Sequence, residues 1–410
     1  MAIELSTITF TDGADVVPLF GVEEILINTG VTNTLAGNDI LTGITATPYN
    51  YAFVNSGTLN TAEGDDAITG IGGSVGIYNT GTFNTAEGND IITAKGKEVG
   101  IDNSGKFNTA DGNDEITGIA SSFEGISIAD GSILDTGNGN DRISGESGKT
   151  TGIYNGSITF STGDGNDTIN AVGGFYGIHN KGLINTGNGK DTIIAKGGTL
   201  SDGYYGRGLY NISTINTGDG EDIITGSCGI ENFGTIDTGD GDDIITGSRA
   251  VYFIYEISGI DNKGTINTGN GNDSIIADRW FIGTAGTINT GDGNDIITSS
   301  KGIENDGTIN TGNGADFILA NGGFSGNGSV FLGNGKDYLN GFGTGKFNGG
   351  NNQDTLELTS GSYTVGISGA TVSFTNSGVL MITSEFEKLR AGSTTYDFTS
   401  LSDGQTIVVP

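Results

Sequence analysis

The chain has 410 residues with 17 basic and 49 acidic side chains, which gives a formal net charge of −32. Nucleic acid and anionic membrane surfaces repel such a polyanion, so the net charge argues against both as partners and favours cations. The chain contains 76 glycines without a Gly-X-Y period, which excludes collagen, and a single cysteine, which excludes an intrachain disulfide framework. The first residues, MAIELSTITF, lack the basic region and apolar run of a secretory signal peptide. We interpret residues 1–35 as an N-terminal β segment or first coil.

A repeat follows, over residues 36–354, and it is marked by an aspartate that recurs every 17 to 31 residues. The segments GDGNDTI and GDGDDII are typical copies, and DGADVV, which begins at Asp12, is a weaker copy that opens the array. The recurring aspartates are Asp39, Asp66, Asp90, Asp114, Asp141, Asp167, Asp191, Asp222, Asp243, Asp273, Asp295, Asp316, Asp337 and Asp354.

The most regular copy, DIITGSCGIENFGTIDTGDGD from Asp222, contains three short apolar runs that are separated by glycine. Apolar and polar residues alternate in each run, which predicts three short strands and excludes helices. We therefore predict an all-β fold, a right-handed parallel β-solenoid of about 14 coils of 21–31 residues. Isoleucines such as Ile68, Ile92 and Ile116 would form an interior column, and the asparagines of G-I-x-N, such as Asn79, would form a ladder.

Extra residues are predicted at one corner of the coil, between the D-x-I-x and G-I-x-N runs, where a solenoid tolerates loops. Three insertions there carry aromatic and arginine side chains, which are candidates for contact with a carbohydrate or protein partner. Packing of these loops on themselves remains the alternative. The candidate contacts are Tyr204, Tyr205, Arg207, Arg249, Tyr252, Tyr255, Arg279 and Trp280.

The composition changes after Asp354, and residues 355–410 alternate apolar and polar positions with few motif glycines. This pattern predicts a small β cap, because an open solenoid end exposes apolar surface and strand edges.

Stacked coils place the fourteen aspartates in one column, with about 4.8 Å between neighbours. Two unit charges at that distance repel by roughly 0.9 kcal/mol even in water. No column of lysine or arginine accompanies the motif, so we predict that Ca²⁺, which accepts six to eight oxygen ligands, binds between adjacent coils. All fourteen aspartates are candidate metal ligands, and the alternative is a structural role in which each aspartate caps its own turn.

The segments TGDGNDTI, from Thr162, and GNGNDSI, from Gly269, resemble the nonapeptide G-G-x-G-x-D-x-hydrophobic-x of RTX (repeats-in-toxin) proteins. The resemblance covers about Ala36 to Leu356 and implies a parallel β-roll with Ca²⁺ between stacked loops and type I secretion from a bacterium. The tail resembles the uncleaved export region of that family. The chain departs from the family in having Thr at the first motif position and one motif per coil, so we expect a single row of Ca²⁺ along one edge.

We therefore interpret the chain as a secreted calcium-binding structural protein of the cell surface or extracellular matrix, without catalysis. Its partners would be calcium ions and either further copies of itself, stacked head to tail into a filament, or a cell-surface polysaccharide. Two alternatives stay open. One is a polysaccharide lyase or epimerase that uses Tyr204, Tyr205 and Arg207, and the other is a calcium-dependent ice-binding or adhesin module that uses outward threonines such as Thr235 and Thr265.

Overall fold

The computed structural model describes residues 2–18, 24–48, 50–198, 206–248, 251–252, 255–256, 258–278, 280–282 and 286–410. The chain divides into two compact units, Met1–Asp219 with Ile224–Cys228, and Gly220–Ile223 with Gly229–Pro410. Both units are built from coils of three short strands, and successive coils pair in parallel. The predicted fold class is confirmed, because the described residues form an all-β parallel solenoid of about 13 turns.

Each regular coil contains three kinds of strand, which we name by sequence. A motif strand follows the recurring aspartate, an asparagine strand carries the G-I-x-N pattern, and a threonine strand carries the T-x-N pattern. Glycine-rich turns separate the strands, so each strand ends after a few residues.

In the first unit, the motif strands are Val16–Val17, Ile40–Thr45, Ala67–Gly72, Ile91–Gly96, Glu115–Ala120, Arg142–Ser147, Thr168–Val172, Thr192–Lys196 and most of Ile223–Ser227. The asparagine strands and their equivalents are Ala2–Glu4, Ile25–Asn28, Tyr51–Asn55, Val75–Asn79, Val99–Asn103, Ile126–Ile128, Thr151–Asn155, Tyr176–Asn180 and Leu209–Asn211. The threonine strands and their equivalents are Val31–Asn33, Thr58–Asn60, Thr82–Asn84, Lys106–Asn108, Ile133–Asp135, Thr159–Ser161, Leu183–Asn185 and Thr214–Asn216. A short 3-10 helix spans Leu5–Thr7.

In the second unit, the motif strands and their equivalents are Ile244–Ser248, Ser274–Ala277, Ile296–Ser299, Phe317–Ala320, Tyr338–Asn340, Thr355–Leu358 and Lys388–Ala391. The asparagine strands and their equivalents are Ile230–Asn232, Ile260–Asn262, Trp280–Ile282, Ile303–Asn305 and Phe324–Ser325. The threonine strands and their equivalents are Thr235–Asp237, Thr265–Asn267, Thr287–Asn289, Thr308–Asn310, Ser329–Phe331 and Gly345–Asn348. A small parallel pair joins Asn334–Gly335 to Asn351–Asn352.

The interior of the first unit consists of columns of identical or similar apolar side chains. Ile92 pairs in register with Ile68 of the preceding coil and with Ile116 of the following coil, and all three are buried. On the threonine strands, the rings of Phe83 and Phe107 stack in parallel with centroids 4.4 Å apart. The predicted isoleucine column is therefore confirmed, and the period of two along each strand explains why these positions face inward.

The carboxyl-terminal region of the second unit combines parallel and antiparallel strands. Gly361–Ser368, Thr371–Asn376 and Val379–Ser384 form an antiparallel meander, Thr406–Val409 adds to its first strand, and Thr394–Asp397 pairs with Lys388–Ala391. Val379–Ser384 also pairs in parallel with the last threonine-type strand, and Lys388–Ala391 pairs in parallel with Thr355–Leu358. A 3-10 helix spans Phe398–Ser400. The meander therefore continues directly from the last solenoid strands.

The longest insertions lie at the predicted corner of the coil. An antiparallel pair, Val251–Tyr252 with Tyr255–Glu256, lies between a motif strand and an asparagine strand. Among the residues that the structure describes, no helix has the length and apolar character needed to cross a lipid bilayer.

Truncation of one isoleucine of the interior column tests this architecture. Ile116→Ala removes a fully buried side chain from a close-packed column, so we expect the free energy of unfolding to fall by about 2–5 kcal/mol. The neighbouring Glu115 points to solvent, so Glu115→Ala is expected to change it by less than about 0.5 kcal/mol. Urea unfolding followed by circular dichroism measures both, and equal effects of the two substitutions would contradict the inward position of Ile116.

Candidate functional site: the buried aspartate ladder

The recurring motif folds as a tight turn between a threonine strand and the following motif strand. In the turn from Thr162 to Asp167, Gly163 and Gly165 have φ values of 78° and 153°. A Cβ atom at Gly165 would lie 1.6 Å from the carbonyl oxygen of Gly139 in the preceding coil. Glycine at this position therefore lets successive turns stack in direct backbone contact.

Four successive turns of the first unit depart from this pattern at the first glycine position. It is occupied by residues that keep the left-handed backbone, namely Leu35, Ala62, Ala86 and Ala110, with φ values of 69°, 63°, 64° and 63°. An L-residue with a Cβ atom pays for this conformation, so the stacked neighbours enforce the turn even where glycine is missing.

The fourteen recurring aspartates lie inside the solenoid wall and not at its surface. Every one of them is at most 2% exposed. The reason is the strand period, since each aspartate precedes a buried isoleucine or leucine by two residues and therefore faces the same side. The sequence predicted the stacking of these side chains, whereas their burial follows only from the structure.

Each buried carboxylate accepts a hydrogen bond from the backbone of the neighbouring coil. The N–H of Asp90, for example, donates to Oδ1 of Asp114 over 2.8 Å. We call these chains of hydrogen bonds the aspartate ladder. In the first unit it joins Asp15, Asp39, Asp66, Asp90, Asp114, Asp141, Asp167 and Asp191 with N···O distances of 2.7–2.8 Å. In the second unit it joins Asp222, Asp243, Asp273, Asp295, Asp316, Asp337, Asp354 and Glu387 with N···O distances of 2.8–2.9 Å.

Two rungs of the ladder were not among the fourteen candidate residues. Asp15 belongs to the weak copy DGADVV and lies 24 residues before Asp39, a spacing that occurs elsewhere in the array. Glu387 ends the ladder by accepting the N–H of Asp354, and it precedes Leu389 by the motif spacing. The signal for both was present in the sequence, but the changed residue type at Glu387 concealed it.

The second carboxylate oxygen has a different environment. In three coils Oδ2 accepts a hydrogen bond of 2.5 Å from the threonine that opens the same turn, as Thr136 donates to Asp141, Thr238 to Asp243 and Thr268 to Asp273. In other coils Oδ2 is buried and receives no hydrogen bond. These rungs include Asp39, Asp66, Asp90, Asp114, Asp167, Asp295, Asp316, Asp337 and Asp354. In several of these coils the nearby threonine hydroxyl donates instead to a carbonyl of the next coil, as Thr85 does to Thr109 and Thr109 does to Thr136. A buried, unpaired anionic oxygen is costly, so a proton, a cation or the rotated hydroxyl of the opening threonine would stabilise it.

Burial accordingly raises the pKa of the ladder carboxyls. It raises the pKa of Asp114 to about 8, although the hydroxyl of Thr109 and the N–H of Asp90 act in the opposite direction. The charges of neighbouring rungs raise these pKa values further. Burial raises the pKa of Asp243 to about 8, that of Asp90, Asp141 and Asp337 to about 7, and that of Asp66, Asp167, Asp273, Asp316 and Asp354 to about 6. The pKa values of Asp39 and Asp295 are also raised by burial.

No group of three or more His, Cys, Asp and Glu side chains within the described ranges could hold a metal ion. A metal at the ladder would therefore have to combine few carboxylates with neutral oxygens. The turn offers such oxygens, namely the threonine hydroxyl that opens it and its backbone carbonyls, and Ca²⁺ accepts exposed or buried oxygens of all these kinds. The donor chemistry of the turn fits a hard cation and does not fit a transition metal.

Two further sets of side chains form hydrogen bonds between successive coils, one on the exposed side of the turns and one on the asparagine strands. The exposed Asp65 accepts hydrogen bonds from the N–H and Nδ2 of Asn89, so this flanking acid supports stacking at the surface. On the asparagine strands, buried Asn55 donates from Nδ2 to Oδ1 of Asn79 over 2.8 Å, and Asn79 donates in the same way to Asn103. The predicted structural role of these asparagines is confirmed.

Most of the predicted partner contacts are residues whose side chains lie outside the described part of the structure. Tyr204, Tyr205, Arg249 and Arg279 lie outside the described residues. Tyr252, Tyr255 and Trp280 lie in strands of which only the backbone is described, and Arg207 is half-buried. These candidate contacts remain predictions.

Fold and site together define a parallel β-solenoid protein with a buried aspartate ladder in its wall. No protein-family model matches the chain, and no curated protein matches it. Among solved structures, the chain is similar to a hyperactive, Ca²⁺-dependent, β-helical antifreeze protein from an Antarctic bacterium. The sequence identity is 16%, the match covers 87% of this chain and 77% of that chain, and the TM-score is 0.35.

The raised pKa values predict an unusual pH dependence for the ion-free protein. Between the ordinary aspartate pKa of 3.8 and folded pKa values of about 6 to 8, the folded state binds more protons than the unfolded state. The free energy of unfolding is therefore expected to fall as the pH rises from about 4 to about 8. Thermal unfolding in a chelator, at 0.5 M salt to screen surface charge, measures this trend. A melting temperature that rises towards pH 8 would contradict it.

Proposed function

We propose that this chain is a calcium-binding structural protein whose solenoid is stabilised by Ca²⁺ at the aspartate ladder. The observation that supports the proposal is the row of buried carboxylates whose Oδ1 is paired while Oδ2 has no protein partner, as at Asp66, Asp90 and Asp114. Each coil in such a row contains a buried negative charge that is not neutralised, and one kind of cation would neutralise all of these charges.

Calcium ions would be held between adjacent turns of a unit. The ligands would be the Oδ2 atoms of successive ladder aspartates, the hydroxyl of the threonine that opens the turn, and backbone carbonyls of the turn. The bound ion would supply positive charge inside the wall, so that the carboxylates could stay ionised without mutual repulsion.

A proton alone is a poor substitute at neutral or alkaline pH. Rungs whose pKa is about 6, such as Asp167 and Asp316, are mostly ionised at pH 7.5 and still buried. Calcium suits these turns better than Mg²⁺, which demands octahedral geometry and keeps several water ligands.

The proposed setting is extracellular, at a bacterial cell surface or in its matrix, with export by type I secretion. Low cytosolic Ca²⁺ would leave the ladder unneutralised and favour an unfolded, exportable chain, and millimolar external Ca²⁺ would then fold it. Head-to-tail association remains part of the proposal, but the antiparallel meander from Gly361 follows the last coils of the second unit, so association would need a surface other than that coil end.

The proposed role needs no catalysis. The lyase or epimerase alternative depends on Tyr204 and Tyr205, which lie outside the described residues, and on Arg207. It therefore gains no support from the described geometry.

Calcium titration tests the proposal directly. We expect the chelator-treated protein at pH 8 to gain β-type circular dichroism and thermal stability as Ca²⁺ rises through about 10⁻⁴–10⁻³ M, with a much smaller effect of Mg²⁺. Asp114→Asn keeps an oxygen that accepts the N–H of Asp90 but removes the buried charge. This variant is expected to bind one or two fewer Ca²⁺ by calorimetry and to be more stable than the wild type without calcium.

The matched control is Asp111→Asn, which removes the same charge from the exposed side of the same turn. It should leave the number of bound Ca²⁺ unchanged. A chelated protein that is fully ordered and insensitive to Ca²⁺ at pH 8 would refute the proposal.

Ice binding is a second candidate function, which a regular outward array on the threonine strands of the second unit favours. Thr235, Thr265, Thr287 and Thr308 pair in register over four coils, and each is half-buried on the outer face. A flat, repetitive array of threonines is a surface that could match an ordered lattice of water.

Thermal hysteresis in the presence of calcium tests this candidate. We expect hysteresis that Thr287→Leu lowers and that Thr246→Leu, on the outer face of a motif strand, leaves unchanged. No hysteresis at millimolar protein concentration would exclude ice binding.

A further inference from the structure

A file of rings lies on the outer face of the asparagine strands in the first unit. Tyr154, His179 and Tyr210 occupy the variable position of G-I-x-N in successive coils and pair in register. The centroid distance is 5.4 Å from Tyr154 to His179 and 5.0 Å from His179 to Tyr210. The strand period turns this position outward, so the rings line the surface.

The rings continue sideways into a cleft at the corner where the insertions occur. Tyr176 lies 5.1 Å from His179 between ring centroids, and Phe175 lies 4.4 Å from Tyr176. Phe175 in turn lines a cleft of about 490 Å³ together with Phe123, which is 49% exposed. We call Phe123, Phe175, Tyr176, His179 and Tyr154 the aromatic strip.

Basic side chains accompany the aromatic strip, although the chain has only 17 of them against 49 acids. Lys97 and the exposed Lys149 line the cleft, and Nζ of Lys181 lies 5.3 Å from the ring centroid of Tyr154. The strip thus carries cations at both ends, at the cleft and beside Tyr154.

Three acidic side chains near the strip are half-buried, namely Glu98, Asp102 and Glu124. Glu98, which also lines the cleft, accepts a hydrogen bond from the hydroxyl of Ser74 in the preceding coil. Burial raises the pKa of Asp102 and Glu124, the acids of the neighbouring coils. These three acids are half-buried, whereas Lys97, Lys149 and Lys181 are exposed.

Two buried polar atoms of this surface have no protein partner. One is Oγ1 of Thr150, whose residue lines the cleft, and the other is Nε2 of His179 in the middle of the ring file. Burial, and then the charge of Lys181, lower the pKa of His179 to about 4, so the imidazole is neutral and retains both a donor and an acceptor nitrogen. Because both atoms are buried, neither is a direct contact for a ligand on this surface.

We propose that the aromatic strip binds an anionic polysaccharide, specifically one that contains uronate sugars. The ring faces would stack on the apolar faces of pyranose rings, and the exposed Lys149 and Lys181 would pair with carboxylates. An acidic peptide would satisfy the lysines but offers no succession of flat apolar faces to a strip of rings. The inference does not depend on the calcium proposal, because the strip lies on a different surface from the turns.

Binding of a glucuronate-containing hexasaccharide by the full chain tests the proposal, with calorimetry at a fixed 1 mM Ca²⁺. We expect binding that falls at least fivefold in Phe123→Ala and in Lys149→Glu, and that weakens as the salt concentration rises. A neutral glucose hexasaccharide should bind at least tenfold more weakly. Both substituted side chains are exposed, so the variants should fold, and circular dichroism verifies this.

The matched controls are Phe233→Ala and Lys301→Glu. They replace an exposed phenylalanine and an exposed lysine of the second unit that do not belong to the aromatic strip. These variants should bind the hexasaccharide as the wild type does. The proposal is overturned if the hexasaccharide does not bind, if the neutral sugar or a poly-glutamate peptide binds equally well, or if strip and control variants lose affinity alike. Loss of calcium-dependent folding without loss of sugar binding by the folded chain would affect only the calcium proposal.

Discussion

The structure depends on the burial of one carboxylate in every coil. An aspartate at this position satisfies the backbone N–H of its neighbour, and that hydrogen bond fixes the register of adjacent turns, as between Asp90 and Asp114. The same burial separates the carboxylate from water and leaves its second oxygen in need of a counter-charge. The side chain that fixes the register is therefore the same one that creates the need for a counter-charge.

The rest of the coil is arranged around this constraint. Turns must approach closely for the N–H of one aspartate to reach the next, and glycines such as Gly165 allow that approach. Buried asparagines such as Asn79 repeat the same device on another strand without any charge, because an amide both donates and accepts along the stack. This contrast explains why we predict a response to pH and cations for the aspartate ladder and none for the uncharged asparagines.

The ends of the array follow the same logic. Asp15 begins the ladder in the first unit, and its own carboxylate accepts the N–H of Thr11 within the same turn. In the second unit Glu387 takes the place of an aspartate and satisfies the last backbone N–H. A ladder of this kind needs a terminal acceptor, and the strand that supplies it, Lys388–Ala391, belongs to the carboxyl-terminal region.

The sequence by itself determined the repeating unit. The period-two alternation identified the three strands and the buried column of Ile68, Ile92 and Ile116, and the fixed spacing within the motif predicted that the aspartates would stack. These features are local, because a strand's period and a turn's glycines lie within one coil.

Only the tertiary structure decided the features that arise between coils. These features are the burial of the carboxylates, the hydrogen bonding of Oδ1 but not of Oδ2, and the role of Glu387. They depend on atoms that lie 17 to 33 residues apart in sequence. The aromatic strip likewise joins Phe123 to His179 through neighbours in different coils. The physical reason is that insertions make the coil length variable, so sequence distance does not report which side chains meet, whereas stacking in register does.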